Sequence, residues 1–249
     1  SVAEVAAACD VDPERLETFY YWFASQLHVV TLYSQGVNQS ASGTDKCNAI
    51  INCHLAGGKI GLPGAGPFSI TGQPNAMGGR EVGGLANQLA AHMDYHTPGA
   101  LDLVTRFWAT DSLRPTLPEG PGYKAVELFE AIERGEIKAL WVMATNPAIS
   151  LPDAARVRAA LEKCPLVIVS ECAAHTDLLP YADIVLPASG WSEKDGTVTN
   201  SERRISRQRG MLPPPGEAHH DWWIMCEVAK RLGFTEAFNY AHPWEIFDE

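Results

Sequence analysis

Residues 137–171 read IKALWVMATNPAISLPDAARVRAALEKCPLVIVSE, and this stretch decides the fold class. Its two ends, 137–143 and 166–169, are short apolar runs of the kind that forms strands. Between them, residues 152–163 carry an acid in the first turn, which favours a helix. A third apolar run follows at 183–186. Strands that alternate with helices form a parallel sheet with helices on its faces, so the sequence predicts an α/β fold with Rossmann-like sheets.

The chain on either side continues the alternation of helices and strands. Near the start, residues 12–14 (Asp-Pro-Glu) supply a cap, a first-turn proline and an acid at the positive end of a helix. The β-branched run at 27–33 then predicts a buried strand, and residues 44–56 predict a helix that ends at a glycine pair. In the second half, residues 123–134 and 222–231 predict two further helices.

Residues 57–84 are unusually rich in glycine, with ten glycines and three prolines. Flexible spacers consist of serine–glycine repeats, which are scarce here. A long glycine-dense loop that is ordered commonly brings its backbone close to a ligand. The segment therefore predicts an ordered loop at a binding site.

The composition excludes several classes of protein. A net charge of −11 argues against binding to nucleic acid, because a phosphate backbone requires a basic face. No apolar run reaches membrane-spanning length and the N-terminus lacks the layout of a signal peptide, so we expect no membrane partner. The six cysteines form no C-x-x-C pair, which leaves no zinc or iron–sulfur spacing and no metal ligand assigned here. We expect all six to be buried small apolar residues.

Polar residues follow each predicted strand, where the carboxyl ends of parallel strands meet. They are residues 34–39, Asn146, Ser170 with Glu171, and residues 189–195. Any loop is polar, so a purely structural role stays open for each site taken singly. Their common location on one edge predicts a nucleotide-sized groove.

Individual side chains indicate what such a groove binds. Glu171 offers two acceptors for guanine N–H groups or ribose hydroxyls, with a solvated carboxylate as the alternative. Lys194 suits a phosphate or a base edge, although a lysine in a charged loop is commonly just solvated. His175 follows the strand end that carries Glu171. The sequence contains neither G-x-G-x-x-G nor a Walker motif, which argues against an ordinary NAD site or P-loop.

Arg80 lies in the glycine-rich stretch 72–81, GQPNAMGGRE. A guanidinium binds planar oxyanions such as nitrate, formate or carboxylate through two parallel N–H bonds. The alternative is a structural ion pair with Glu81 or another acid. The histidines at 92, 96, 219 and 220 lack metal-ligand spacing, and we interpret them as non-ligands.

Five segments carry a resemblance to a known family: 33–40 (YSQGVNQS), 66–83 (GPFSITGQPNAMGGREVG), 144–147 (ATNP), 186–196 (LPASGWSEKDG) and 200–204 (NSERR). Through them the chain resembles, over essentially its whole length, the molybdenum bis-guanine-dinucleotide oxidoreductases of the dimethyl sulfoxide reductase superfamily. Within that superfamily, the stretch around 73–80 is similar to the assimilatory nitrate reductases. The resemblance implies α/β domains of the formate dehydrogenase and dimethyl sulfoxide reductase type.

The resemblance also implies roles for named residues. Gln35 and Gln39 match positions that touch the pterin, Gln73 matches one beside the molybdenum, and Arg80 one in the substrate funnel. The positions that match one guanosine end of the cofactor are Asn146, Ser170, Glu171, Lys194 and Asp221, with His175 as a weaker addition. Residues 1–72 then correspond to the C-terminal part of one molybdopterin-binding domain. Residues 73–249 correspond to a second domain, which binds a guanosine end.

For the whole protein, the resemblance implies a nitrate reductase that transfers an oxygen atom from nitrate at a molybdenum bis(molybdopterin guanine dinucleotide) centre. A 4Fe–4S cluster in an N-terminal region, a cysteine ligand to molybdenum and a C-terminal barrel are family features outside these residues. The chain is therefore expected to be a central fragment that is inactive alone. The resemblance further implies an electron-donor protein or reductase subunit as partner, and a cytoplasmic location.

Two other interpretations stay open. One is a formate dehydrogenase catalytic subunit, and the other is a structural subunit of the same fold that has lost its metal. The retained Gln35, Gln39, Asn146 and Lys194 argue against the metal-free subunit, because a disused site has no need of polar groups shaped for a cofactor. Four clustered cysteines upstream would separate it from the two enzymes.

Overall fold

The computed structural model describes residues 1–40, 42–108 and 118–249, which form two compact units, Ser1–Pro74 and Asn75–Glu249. The first unit contains α1 (Val2–Cys9), α2 (Pro13–Ser25), β1 (Val30–Tyr33), α3 (Gln35–Asn38), α4 (Gly43–Ala56) and β2 (Gly66–Ser69). The second contains α5 (Ala76–Glu81), α6 (Ala100–Phe107), α7 (Ala125–Glu133), β3 (Leu140–Met143), α8 (Pro147–Ser150), α9 (Ala154–Lys163), β4 (Val167–Glu171), β5 (Ile184–Pro187), β6 (Gly196–Thr199), β7 (Ile205–Gln208), α10 (Asp221–Arg231) and α11 (Pro243–Asp248). None of these described helices is both long and apolar enough to cross a membrane.

The sheet of the second unit has the strand order β3-β4-β5, and both pairs of neighbours are parallel. In register, Leu140 lies opposite Val167, and Val169 lies opposite Val185. The connection from β3 to β4 runs through α8 and α9, as parallel pairing requires. The predicted parallel α/β fold is confirmed.

One apolar core holds this sheet against its helices. The core includes buried side chains of α7 (Phe129 and Ile132), α9 (Val157 and Leu161) and β4 (Val169). Burying such side chains stabilises a fold by about 1.5–3 kcal/mol each. The packing fixes the strands, and with them the loops that leave their carboxyl ends.

Local signals in the sequence account for several helix boundaries. The Oδ1 atom of Asp12 accepts a hydrogen bond from the backbone N–H of Glu14 at 2.8 Å, and Pro13 opens α2. At the other end of a helix, Gly135 has a φ of 73°, which a glycine adopts without strain and which ends α7. These capping predictions are confirmed.

The first unit contains a shorter and more exposed strand than predicted. Residues 27–33 were expected to form a buried strand, whereas β1 begins at Val30, and the side chains of Val30 and Leu32 are exposed. Among the described residues β1 pairs only with β2, in parallel, which leaves its other edge unpaired, and one of its faces is exposed. The other face carries Thr31, whose Oγ1 lies 2.7 Å from Nε2 of the buried His54.

The glycine-rich segment 57–84 is not a loop throughout, because it contains β2 and α5. Some of its glycines allow other groups of the chain to approach closely. A Cβ atom at Gly78 would lie 2.3 Å from Oδ1 of Asn75, and the same oxygen accepts from the backbone N–H of Thr199 at 2.9 Å. The antiparallel pair of β6 and β7 also lies outside the predicted elements.

The cysteines are less uniformly buried than predicted. Cys164 and Cys226 are buried, but Cys9, Cys53 and Cys172 are exposed. Cys9 lies on α1 and Cys53 on α4, and in each helix a different residue is buried. Ala6 is the buried residue of α1, and His54 is buried in α4.

Replacing Gly43 with alanine is expected to destabilise the first unit. The added Cβ would lie 2.3 Å from the backbone oxygen of Asn38, so α3 or α4 must shift. Overpacking of this kind costs about 1–3 kcal/mol. Gly36→Ala is the matched control, since nothing lies within 4 Å of a Cβ at that position. Calorimetric unfolding of the complete protein measures both variants, and an unchanged melting temperature for Gly43→Ala would contradict the expectation.

Candidate functional site

The carboxyl ends of β3, β4 and β5 lie along one edge of the sheet, and the predicted site residues of the second unit follow them. Asn146 lies just beyond β3, Glu171 ends β4, and Ser189 lies just beyond β5. Ala188, the residue after β5, forms a parallel bridge with His219, and this bridge attaches the segment before α10 to the end of the strand. This bridge brings Asp221, the first residue of α10, towards the same edge.

Asn146 combines a structural role with an unused side-chain acceptor. Its backbone oxygen accepts from the N–H groups of Ile149 (3.1 Å) and Ser150 (2.9 Å) and so begins α8. Its Oδ1 atom is buried and has no hydrogen-bond partner among the residues that the structure describes. An unpaired buried acceptor costs about 1–3 kcal/mol, so proteins rarely keep one without a ligand or a water molecule. Asn146 is therefore suited to accept an N–H from a bound group.

The end of β4 presents a buried hydroxyl and an anchored carboxylate. Ser170 is 2% exposed, and its Oγ accepts from Nε1 of Trp141 at 2.9 Å. Oε1 of Glu171 accepts from the backbone N–H groups of Cys172 (2.8 Å) and Ala173 (3.2 Å). These bonds fix the direction of the carboxylate, and in the described part of the chain Oε2 has no hydrogen-bond partner. Although Cys172 is exposed as a residue, partial desolvation of its sulfur, with the neighbouring Glu171 carboxylate adding to it, raises the pKa of the thiol.

Lys194 and Asp221 form an ion pair at this edge. Nζ of Lys194 donates to Oδ2 of Asp221 at 2.5 Å, and the two side chains are 30% and 25% exposed. An ion pair that is partly shielded from water is stronger than one on the open surface. The pair leaves Oδ1 of Asp221 as an acceptor and two ammonium hydrogens as donors for a ligand.

His175 lies in the loop after β4 and is exposed. Within the described residues its ring takes part in no hydrogen bond or ion pair. The structure therefore does not join it to Lys194 or Asp221, and its predicted role rests on its position after the strand.

In the first unit, Gln35 and Gln39 lie at the two ends of the short helix that follows β1. The N–H of Gln39 donates to the backbone oxygen of Gln35 at 2.9 Å. The helix is tied to β2 by Asn38, whose Nδ2 donates to Oγ of Ser69 at 3.0 Å. Gln35 is half-buried and Gln39 is exposed, and neither side chain has a hydrogen-bond partner among the described residues. Both amides are therefore available to a ligand.

Gln73 and Arg80 are both exposed side chains of the glycine-rich segment. Arg80 lies in the last turn of α5, and its neighbour Glu81 pairs with Arg203 at 2.9 Å. The ion pair between Arg80 and Glu81 that sequence reasoning left open is thus absent from the described part of the chain. The guanidinium of Arg80 has no carboxylate partner among those residues.

The family follows from comparison of the sequence with models of protein families. Residues 16–231 match the family described as Molybdopterin oxidoreductase. The chain belongs to the molybdopterin oxidoreductase family. The matched residues include the parallel sheet and all the predicted site residues, and the predicted family membership is confirmed.

This molybdopterin oxidoreductase chain is similar to relatives that are much longer. It is 57% identical over 246 residues to a nitrate reductase of Klebsiella oxytoca, covering 99% of this chain and 28% of that protein. It is 50% identical to a nitrate reductase of Shewanella frigidimarina, over 100% of this chain and 26% of that protein. The F420-dependent formate dehydrogenase subunit alpha of Methanocaldococcus jannaschii is 34% identical over 97% of this chain and 34% of its own length. The chain thus spans about a quarter to a third of the length of these relatives.

The residues at the carboxyl edge fit the organic part of a molybdopterin cofactor. Pterin and nucleotide groups present N–H donors, ring acceptors and phosphates, and the edge offers partners for each. The unpaired Oδ1 of Asn146 and the free oxygens of Glu171 and Asp221 accept N–H groups, while Lys194 offers positive charge. Among residues 1–40, 42–108 and 118–249, no group of three or more His, Cys, Asp or Glu side chains is placed to hold a metal ion.

Sequence reasoning missed the part that His220 plays at this edge, because it interpreted this histidine only as a non-ligand. Nδ1 of His220 lies 2.9 Å from Oγ of Ser189, which is 1% exposed. The available signal was a pair of histidines directly before an apolar helix. Spacing alone does not identify a partner that lies 31 residues away.

Proposed function

We propose that this chain is the central part of a molybdenum nitrate reductase, which reduces nitrate to nitrite by oxygen-atom transfer. The observation that carries the proposal is the 57% identity to a nitrate reductase over 99% of the chain. The match covers 99% of the chain, so it includes the strand edge and the segment with Gln73 and Arg80. It therefore supports a shared cofactor and a shared substrate.

The proposed cofactor is molybdenum bis(molybdopterin guanine dinucleotide). When bound, it supplies the two-electron reduction in which nitrate, two electrons and two protons give nitrite and water. The residues proposed to hold one guanosine end are Asn146, Ser170, Glu171, Lys194 and Asp221, with His175 as a weaker addition. Guanine offers N–H donors on one edge, and the unpaired oxygens of Asn146, Glu171 and Asp221 are matching acceptors.

We assign the pterin contacts to the first unit. Gln35 and Gln39 carry amides with both donors and acceptors, and these are the groups that a pterin edge requires. The short helix between them is held by the bond from Asn38 to Ser69, so the amides project from a fixed turn. In this proposal residues 1–72 bind the pterin, and residues 73–249 bind a guanosine end.

Gln73 and Arg80 are the proposed residues at the substrate. The planar guanidinium of Arg80 donates two parallel N–H bonds, which match two oxygens of a planar nitrate ion. Its availability supports this role, because Glu81 is occupied by Arg203. Gln73 matches a family position beside the molybdenum, and we propose that place for its amide.

The remaining parts of the proposal concern the whole protein. A 4Fe–4S cluster in an N-terminal region would pass electrons from a donor protein or reductase subunit, and the protein would work in the cytoplasm. Iron and sulfide analysis of the complete protein tests the cluster, with four of each per chain as the expected result.

The second candidate function is formate oxidation by the catalytic subunit of a formate dehydrogenase. The 34% identity to the Methanocaldococcus jannaschii subunit alpha favours it, since that relative matches almost the whole chain. A guanidinium such as that of Arg80 suits formate as well as nitrate. Activity with the two substrates separates the candidates.

Replacing Glu171 with alanine is expected to lower the guanine nucleotide retained by the complete enzyme by about tenfold, because a charge-assisted acceptor at the strand end is lost. The nucleotide is measured as GMP released by acid hydrolysis, per protein chain. Glu227→Ala is the matched control, since this glutamate pairs with Arg231 on the surface of α10. Equal nucleotide content in Glu171→Ala and wild type would remove Glu171 from the guanine contact.

A further inference from the structure

The buried Ser189 lies close to both residues of the Lys194–Asp221 ion pair, to Lys194 along the chain and to Asp221 through His219 and His220. Lys194 lies five residues after Ser189, beyond a turn in which the N–H of Gly190 donates to Oε2 of Glu193 at 2.6 Å. Asp221 reaches the same place from a segment that is distant in sequence. The position of Asp221 therefore depends on the bonds that Ser189 makes.

Two backbone bonds attach the distant segment to the end of β5. The N–H of Ser189 donates to the oxygen of His219 at 2.9 Å, and the N–H of His219 donates to the oxygen of Pro187 at 3.0 Å. Between the two charges the chain runs through β6 and β7, and its last part, residues 213–217, is largely exposed and contains three consecutive prolines. A connection of this kind does not by itself fix where α10 begins.

A side-chain bond completes the attachment. Oγ of Ser189, which is 1% exposed, lies 2.9 Å from Nδ1 of His220. The ring of His220 also lies nearly parallel to that of Trp222, with centroids 6.3 Å apart and an interplanar angle of 17°. His220 immediately precedes Asp221, so its ring fixes the direction in which α10 starts.

We propose that Ser189 and His220 are positioning residues, which hold Asp221 against Lys194 in the arrangement that recognises the guanine end of the cofactor. The inference rests on the proposed function, since it presumes a guanine dinucleotide at this edge. Its physical basis is pre-organisation. A ligand that meets the charge pair already in place does not have to order it on binding.

The variants Ser189→Ala and His220→Ala of the complete enzyme test the inference. Each is expected to lower the GMP released per protein chain by roughly threefold to tenfold, as loss of one buried hydrogen bond predicts. The double variant is expected to fall no further than either single variant, because both changes remove the same bond. His220→Asn, which keeps a polar atom near the Nδ1 position, is expected to restore most of the content.

Asp183→Ala separates a positioning role from a general loss of stability. Oδ2 of Asp183 accepts from the N–H of Val167 at 2.7 Å, at the amino end of β4, far along the strand from the site. This control should lower the melting temperature and keep the wild-type GMP content. If wild type releases GMP and both single variants match it, or if the control loses as much as they do, the positioning role is overturned. A wild-type enzyme with molybdenum but no GMP would overturn the proposed cofactor and this inference together.

Discussion

Replacing Asp221 with alanine in the complete enzyme is expected to remove at least nine-tenths of its guanine nucleotide, because a tenfold loss corresponds to about 1.4 kcal/mol. The change deletes the acceptor proposed for guanine and leaves the ammonium of Lys194 partly buried without its partner at 2.5 Å. Breaking a fully buried pair costs about 3–5 kcal/mol. Lys194 and Asp221 are 30% and 25% exposed, so solvent screening reduces the loss of stability to about 1–2 kcal/mol.

The double variant Lys194→Met with Asp221→Ala distinguishes recognition from stability. Removing both charges relieves the unpaired ammonium, so the melting temperature is expected to return towards that of wild type. The guanine nucleotide is not expected to return, because neither the donor nor the acceptor remains. Recovery of the nucleotide in the double variant would show that the pair serves stability alone.

Replacing Arg80 with alanine is expected to lower kcat/KM for nitrate by about 100-fold, since removing a donor that stabilises charge in the transition state costs about 100-fold or more in rate. Molybdenum and guanine nucleotide contents are expected to remain at wild-type levels. Arg80→Lys keeps the charge but loses the two parallel N–H bonds, so it should recover only part of the activity. Steady-state kinetics with nitrate measures all three proteins.

Arg106→Ala is the matched control for this prediction. Arg106 is an exposed arginine on α6 whose Nε donates to the backbone oxygen of Asp102 at 3.3 Å. Its removal changes the net charge equally and should leave the nitrate kinetics unchanged. If Arg80→Ala behaves like Arg106→Ala, then Arg80 does not belong to the substrate site.

The elements that the sequence predicted well are those set by local chemistry. A capping carboxylate at Asp12 and a glycine at 135 mark helix ends whatever the rest of the fold does. The apolar runs at β3, β4 and β5 identified the parallel sheet, because buried parallel strands read as continuous apolar stretches. The residues that follow these strands could be listed for the same reason.

The features that the sequence did not predict depend on contacts between distant residues. The glycines of α5 read as a loop, yet Gly78 is required by the close approach of the Asn75 side chain, which also binds Thr199. The bond from Ser189 to His220 joins residues with no pattern in common. The exposed face of β1 likewise depends on what covers the strand, which an apolar run cannot indicate.

The most direct test of the account is nitrate-dependent oxidation of reduced viologen by the complete protein, matured with its molybdenum cofactor. We expect rapid turnover with nitrate and little oxidation of formate under matched conditions. Turnover with formate and none with nitrate would contradict the nitrate reductase proposal in favour of a formate dehydrogenase. No turnover with either, in a protein that contains molybdenum, would contradict both.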